Sequence, residues 1–169
     1  MFEDEVIFQI SGTTMKSWAP KGIGKTVDSF PGRKSEKALG AVTVEKNPRF
    51  HFRFAPVFNV ETFGAFLRQI IRQYPGEKVH MVLDNVRYHH AKAIQCWLEE
   101  NKTRIELHFL PPYSPQFNPI EKVWKATKKA SIHNRYFESL DQLHETIFRR
   151  FNRFQGNPAS LRGIMKAHV

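Results

Sequence analysis

Two short apolar stretches, "VHMVLDN" (79–85) and "RIELHFL" (104–110), flank a segment with helical spacing, and this arrangement constrains the fold more than any other feature. Strands joined through a helix of this length lie parallel, with a right-handed crossover. Asp84-Asn85 then stands at the carboxyl end of the first of them, where open α/β sheets bind their ligands. Upstream, "FEDEVIFQI" alternates: Phe2, Asp4, Val6, Phe8 and Ile10 share one parity, Glu3 and Glu5 the other. An aspartate in register with four apolar residues is unusual. A reversal at "SGTT" follows, and Pro20 and Gly22 end any short strand at "MKSWAPKG". Residues 20–37 read as a long basic loop and "ALGAVTV" (38–44) as a buried strand. "RFHFRFA" (49–55) places Phe50, Phe52 and Phe54 inward, with Arg49, His51 and Arg53 outward.

Val60, Phe63, Leu67, Ile70, Ile71 and Tyr74 recur at helical spacing until Pro75-Gly76 stops them. A second helix covers about 89–100, with Ala93, Ile94 and Trp97 on one side. A third starts at Pro119 and runs to 131, and a fourth follows "SLDQ", a Ser-x-x-Gln capping box. The expected architecture is α/β: a mixed five-stranded sheet, three antiparallel strands then two parallel ones, with helices on both faces. Residues 1–169 form one domain, with 140–169 as a C-terminal helical extension.

The 26 Lys+Arg against 16 Asp+Glu give a formal charge of +10, which favours a polyanionic partner through counterion release, although a basic protein without nucleic acid fits charge alone. Fifteen Phe among 41% hydrophobic residues supply a core, so wholesale disorder is excluded. The one cysteine, Cys96, excludes an internal disulfide and a cysteine-based zinc site; among apolar neighbours it reads as a buried, inert thiol. His89-His90 lacks the partners of a zinc site. Trp18 and Trp97 read as core or hairpin packing. No apolar run reaches membrane-spanning length and "MFEDE" is no signal peptide, so the expected location is the cytoplasm, with nucleoid association.

Three carboxylates stand out by position. Asp4 lies on the apolar face of the first strand, Asp84 ends the first parallel strand, and Glu121 opens the helix behind "LPPYSPQFNP". In this strand order the first and fourth strands are adjacent at the sheet centre, so all three can converge. Carboxylates 4 Å apart repel by roughly 4 kcal/mol per pair at an effective dielectric of 20, a cost that a cation offsets. An all-oxygen set suits Mg²⁺ or Mn²⁺. Two such ions about 3.5–4 Å apart can activate a water or 3′-hydroxyl and stabilise the leaving oxygen in phosphodiester chemistry. Plain readings stand beside these. Asp4 suits a frayed terminus, Asp84-Asn85 suits turn chemistry, and Asn118-Pro119-Ile120-Glu121 spells N-cap, Pro at N1 and an acidic N3. The prolines fit the metal version better, since they remove freedom just ahead of Glu121.

"DNVRYHHA" resembles the D-N-x-x-x-H segment, and "LPPYSPQFNPIEKVWKATKK" the L-P-P-Y-S-P-x-L-N-P-I-E-x-x-W block, of DDE transposases, the mariner-like enzymes and their bacterial insertion-sequence relatives. "FEDEVIF" with "SWAPKG" is similar to the family's opening, where the first catalytic aspartate precedes a glutamate. "ALGAV" matches its next strand, and Phe117 replaces the usual Leu. The resemblance implies a ribonuclease H-like fold and a site of two Mg²⁺ or Mn²⁺ ions on Asp4, Asp84 and Glu121, with Asn85, His89 and Asn118 in supporting positions. It implies metal-dependent cleavage and strand transfer of DNA at transposon ends, working as a homodimer. Family members carry helix-turn-helix modules ahead of the catalytic domain, and none is expected within this stretch. Two other readings remain: a non-catalytic DNA-binding remnant of a decayed element, or another ribonuclease H-like nuclease. Lys122, Lys125, Lys128 and Lys129 share one helix face and Lys21 and Lys25 the basic loop; each group suits DNA phosphates or plain solvation. Arg149, Arg150 and Arg153 read as solvent-facing.

Overall fold

The structure, a computed structural model, describes residues 1–11, 13–16, 18, 20–21, 26–28, 32–112 and 114–166. Five strands form one sheet in the order β3-β2-β1-β4-β5. β1 (Phe2–Gln9), β2 (Ser35–Val42) and β3 (Phe50–Phe54) are antiparallel, and β4 (Val79–Leu83) and β5 (Ile105–Phe109) add parallel strands. This is the expected sheet, with β1 and β4 adjacent. β2 begins at Ser35 rather than Ala38, because Ser35, Glu36 and Lys37 pair with Gln9, Phe8 and Ile7. The paired backbone extends into residues whose polarity reads as loop.

The pleat sends alternate residues into two separate cores. On one face Val6, Phe8, Ala38, Val42 and Phe50 pack against α3 (Ile120–Thr127), α4 (Leu140–Gly156) and α5 (Pro158–Lys166). Phe8, Phe50, Phe151 and Phe154 are fully buried there, each worth about 1.5–3 kcal/mol of transfer free energy. On the other face Leu39, Ala41, Met81, Leu83 and Ile105 meet α1 (Val60–Gln73) and α2 (Lys92–Glu100). This second core overturns the outward placement of His51. Its ring is buried under α1, with Nε2 2.8 Å from the Tyr74 hydroxyl, and burial lowers its pKa to about 4.

Local chemistry sets the element ends. Asn59 and Thr62 close a reciprocal capping box on α1, and Gly76, at φ +80°, turns the chain after Tyr74-Pro75. The Ser139 hydroxyl accepts from the Gln142 N–H, but Gln142 answers to the Glu138 N–H rather than to Ser139. The helix expected over 119–131 is α3 followed by a π-turn, Lys128–Ile132. Likewise the segment after Asp84 begins as a 3₁₀ turn, Arg87–His90, before α2. α2 packs through Ile94, Trp97 and Leu98, leaving Ala93 exposed. Cys96 is exposed, not buried, because it falls on the solvent side of this short helix. Trp18 is 99% exposed among the described residues, not packed into a core.

Gly40 is a glycine inside a buried strand, and it faces Asp4 across the β1–β2 ladder. A Cβ there would lie 2.3 Å from the Trp124 ring and 3.2 Å from Ile120 Cδ1, so the glycine is what lets α3 close onto the sheet. Gly40→Ala is expected to cost about 1–3 kcal/mol by overpacking, read as a fall in Tm.

Candidate active site

Asp4 reaches the site because β1 and β4 run parallel with Phe2 beside Val82, so continuing the register two residues brings Asp4 level with Asp84. β4 ends at Leu83, and Phe2 and Val82 are the one residue pair in register between the two strands, so the ladder opens beyond it. The crevice so opened holds a cleft of about 440 Å³ lined by Asp4, Asp84, Asn85, Asn118 and Glu121. Leu110, Pro111 and Pro112 form part of its wall, so the proline-rich approach is part of the cleft. Carboxyl oxygens of Asp4, Glu5 and Asp84 lie within 4.8 Å of one another. Glu121 enters the same cleft from the first turn of α3 but does not belong to that tight set.

Glu5 is the residue that sequence reasoning missed. Alternation puts it on the face opposite Asp4, yet a carboxyl oxygen of each lies within 4.8 Å of one on Asp84. The signal available was the glutamate after the first aspartate in "DE". Burial raises the Asp4 carboxyl to about 8, helped by Glu121 and then Glu5, and against the Trp124 hydrogen bond. Asp84 is raised as well, by burial and by Glu5, while His89 pulls the other way. Glu3 is wholly buried, neither carboxyl oxygen has a hydrogen-bond partner among the described residues, and burial holds it protonated far above the ordinary range. The cleft thus gathers carboxyl groups with no cationic side chain among its lining residues.

Supporting contacts fix these groups. Trp124 Nε1 donates to Asp4 Oδ2 at 2.9 Å. Asn118 does not act as a strong cap: its Oδ1 stands 3.4 Å from the Ile120 N–H, while Nδ2 donates to the Glu3 carbonyl at 2.8 Å. That bond ties the start of α3 to the strand that carries Asp4. His89 is fully buried against Phe63 and Tyr88, with Nε2 3.3 Å from Glu5 Oε1 and Nδ1 3.6 Å from Asp84 Oδ1. Its hydrogen bond runs from Nδ1 to the Asp84 backbone carbonyl at 3.2 Å, so it sits behind the two carboxylates and does not line the cleft. The Asn85 Oδ1 contacts the His90 ring.

The lysines divide. Lys122 donates to the Met165 carbonyl at the end of α5, and Lys128 lies 6.0 Å from the centre of the Phe8 ring, so both serve packing. Lys125, Lys129 and Lys21 are exposed; Lys25 lies outside the described residues. Arg149 and Arg153 are exposed, as expected, and Arg150 is half-buried. With Arg135 they line a groove of about 350 Å³, in which Arg149 pairs with Glu145 at 2.6 Å. Burial, and then proximity to Arg153, lower the Arg150 pKa.

The family model for the DDE superfamily endonucleases matches residues 1–144. The chain belongs to that family. Among curated relatives, an insertion element IS630 uncharacterized 39 kDa protein from Shigella sonnei is 23% identical over 166 residues, 98% of this chain and 48% of the relative. The uncharacterized protein y4pE/y4sA of Sinorhizobium fredii is 27% identical over 110 residues, 64% of this chain and 78% of its own length. The chain thus spans about half the length of the Shigella relative. Among solved structures, the catalytic domain of Mos1 mariner transposase superposes with a TM-score of 0.60 at 14% identity, over 97% of this chain and 74% of that one. The Mos1 paired-end complex with the left transposon end gives 0.60 at 16% identity, over 98% of this chain and 55% of that one. The chain therefore has the mixed five-stranded fold of the Mos1 transposase catalytic domain, as its motifs imply. Among its described residues no helix is long and apolar enough to cross a membrane.

Burial that raises Asp4 has a measurable consequence without metal. The unfolded chain releases this proton near 3.8 and the folded chain near 8, so between those values the folded state holds more protons. Stability contributed by this group is present at low pH and is lost as pH rises through that window. Asp4→Asn is expected to remain stable relative to the unsubstituted protein as pH rises from 4 to 8, read as the difference in Tm between the two in EDTA.

Proposed function

We propose that residues 1–169 are the catalytic domain of a transposase that cuts DNA at the ends of an insertion element and joins them to a target. The observation that carries this is the approach of Asp4 and Asp84 to within 4.8 Å in an open cleft that also holds Glu121. Repulsion of this size is sustained when a divalent cation offsets it. The donor set is all oxygen, which suits Mg²⁺ or Mn²⁺, and Mos1 complexes with each ion share the fold.

Asp4 and Asp84 would hold both of two ions and Glu121 would complete the second. Such ions supply activation of a water or 3′-hydroxyl and stabilisation of the leaving oxygen. The chain itself orients the ligands. Trp124 fixes one oxygen of Asp4, His89 steadies Asp84 from behind, and Asn118 sets the start of α3 and hence Glu121. Asn85 faces the same cleft and would approach a phosphate. Glu5 adds a fourth carboxylate that can bind metal or hold His89.

DNA would leave the cleft along α3, past Lys125 and Lys129 toward the arginine groove, its backbone contacted without reading of sequence. Paired copies of the chain would act together on two ends. Arg135→Ala with Arg153→Ala is expected to weaken binding to unrelated DNA sequences equally. The slope of log K against log salt should fall in magnitude by about 2, close to 0.9 per lost phosphate contact.

The decisive assay incubates the chain, with Mn²⁺ or Mg²⁺, with DNA carrying the element's own terminal repeats and a target duplex. Nicking at the repeat boundary followed by joined product supports a transposase. Cleavage without joining, or cleavage confined to RNA–DNA hybrids, would assign a different nuclease.

A further inference from the structure

The helices α3, α4 and α5 pack over β1, β2 and β3 and leave the same face of β4 and β5 open to solvent. Three side chains stand together on that open face. His80 is the register partner of Glu106, and His108 lies two residues farther along β5, so all three project the same way. His80 Nδ1 is 2.9 Å from His108 Nε2; Glu106 Oε2 is 3.9 Å from His80 Nδ1, and Oε1 is 3.9 Å from His108 Nε2. The two rings stack with centroids 5.2 Å apart and 28° between planes.

We propose that His80, Glu106 and His108 form a binding site for one borderline transition-metal ion, Zn²⁺, Ni²⁺ or Cu²⁺, separate from the acidic cleft. Ligand atoms about 2.1 Å from a tetrahedral ion stand about 3.4 Å from one another, and the observed separations bracket that spacing. Two ring nitrogens facing each other at 2.9 Å either share a single proton or turn both lone pairs to a cation. Two imidazoles with one carboxylate suit these ions and not Mg²⁺, which the all-oxygen cleft suits. Lys78 Nζ lies 2.6 Å from Glu106 Oε2 and holds that oxygen in an ion pair. This also orients the carboxylate from outside the ligand set, with Oε1 on the side of His108.

The side chains are 43–57% exposed, so solvent can supply the fourth ligand. The site is about 13 Å from Asp84 along β4, at 3.3 Å per residue over four residues. An ion there would clamp β4, which leads to Asp84, to β5, which leads into the proline-rich wall of the cleft. The proposal is independent of the nuclease reading.

The test titrates Zn²⁺, and Co²⁺ as a visible-absorbance probe, into the full chain carrying Asp4→Asn and Asp84→Asn, so that cleft binding is removed. One equivalent should still bind and raise the Tm. Adding His80→Ala and His108→Ala should lower that affinity by more than about 100-fold, the upper end of losses seen for outer-shell partners alone. His80→Asn and His108→Asn singly should each weaken it, with far-UV circular dichroism unchanged. Failure of the parent to bind an equivalent, or equal affinity after removal of both histidines, would overturn the site.

Discussion

Asp84→Asn is expected to abolish metal-dependent DNA cleavage while leaving the fold intact. The substitution keeps the shape of the side chain at the end of β4 but removes the charge that a hard cation requires. Loss of one group that stabilises the transition state costs about 10²–10³ in rate, and loss of a shared metal ligand lies at or above the top of that range. Stability should not fall, because the carboxyl is already disfavoured as an anion by burial and by Glu5. The Tm in EDTA should therefore stay level or rise. Single-turnover cleavage with Mn²⁺ reads the first effect and circular dichroism the second. Unaltered cleavage by the variant would remove Asp84 from the mechanism.

Trp124→Ala should show the largest loss of stability of the substitutions considered. The indole is 2% exposed, packs against Phe50 and Phe151, and fills the space that Gly40 leaves. Removing a buried ring of this size costs about 3–5 kcal/mol, because the lost transfer free energy is joined by a cavity. For a chain of this length 1 kcal/mol moves Tm by about 2–4 °C, so a fall of about 10 °C is expected. Trp124→Phe separates packing from polarity. It keeps most of the ring but leaves Asp4 Oδ2 without its donor, so a smaller fall in Tm should accompany weaker Mn²⁺ binding. Equal Mn²⁺ affinity in Trp124→Phe would reduce Trp124 to a core residue.

The five strands, their pairing and the convergence of Asp4 with Asp84 were legible from the chain, since alternation and the β-α-β unit dictate them. Period-2 alternation cannot say whether a second face is also covered, and so His51 read as exposed when α1 buries it. Glu5 was hidden for the related reason that its nearness to Asp84 and His89 is a tertiary contact, which alternation along β1 does not announce. Cys96 and Trp18 depend on what lies opposite them, which local apolar character does not specify. The arginine groove brings Arg135 against α4, a contact between segments that no spacing within α4 announces. Glu121 read as both helix cap and ligand; its place in the first turn of α3 and in the cleft is compatible with both.

The claim beneath all of this is that a few carboxylates meet around divalent cations. Anomalous diffraction from crystals soaked in Mn²⁺ measures it directly. Two peaks about 3.5–4 Å apart are expected in the cleft, with oxygens of Asp4 and Asp84 in bonding contact and Glu121 turned to the second ion. Cleft density without manganese, or manganese that leaves Asp4 and Asp84 untouched, would contradict it.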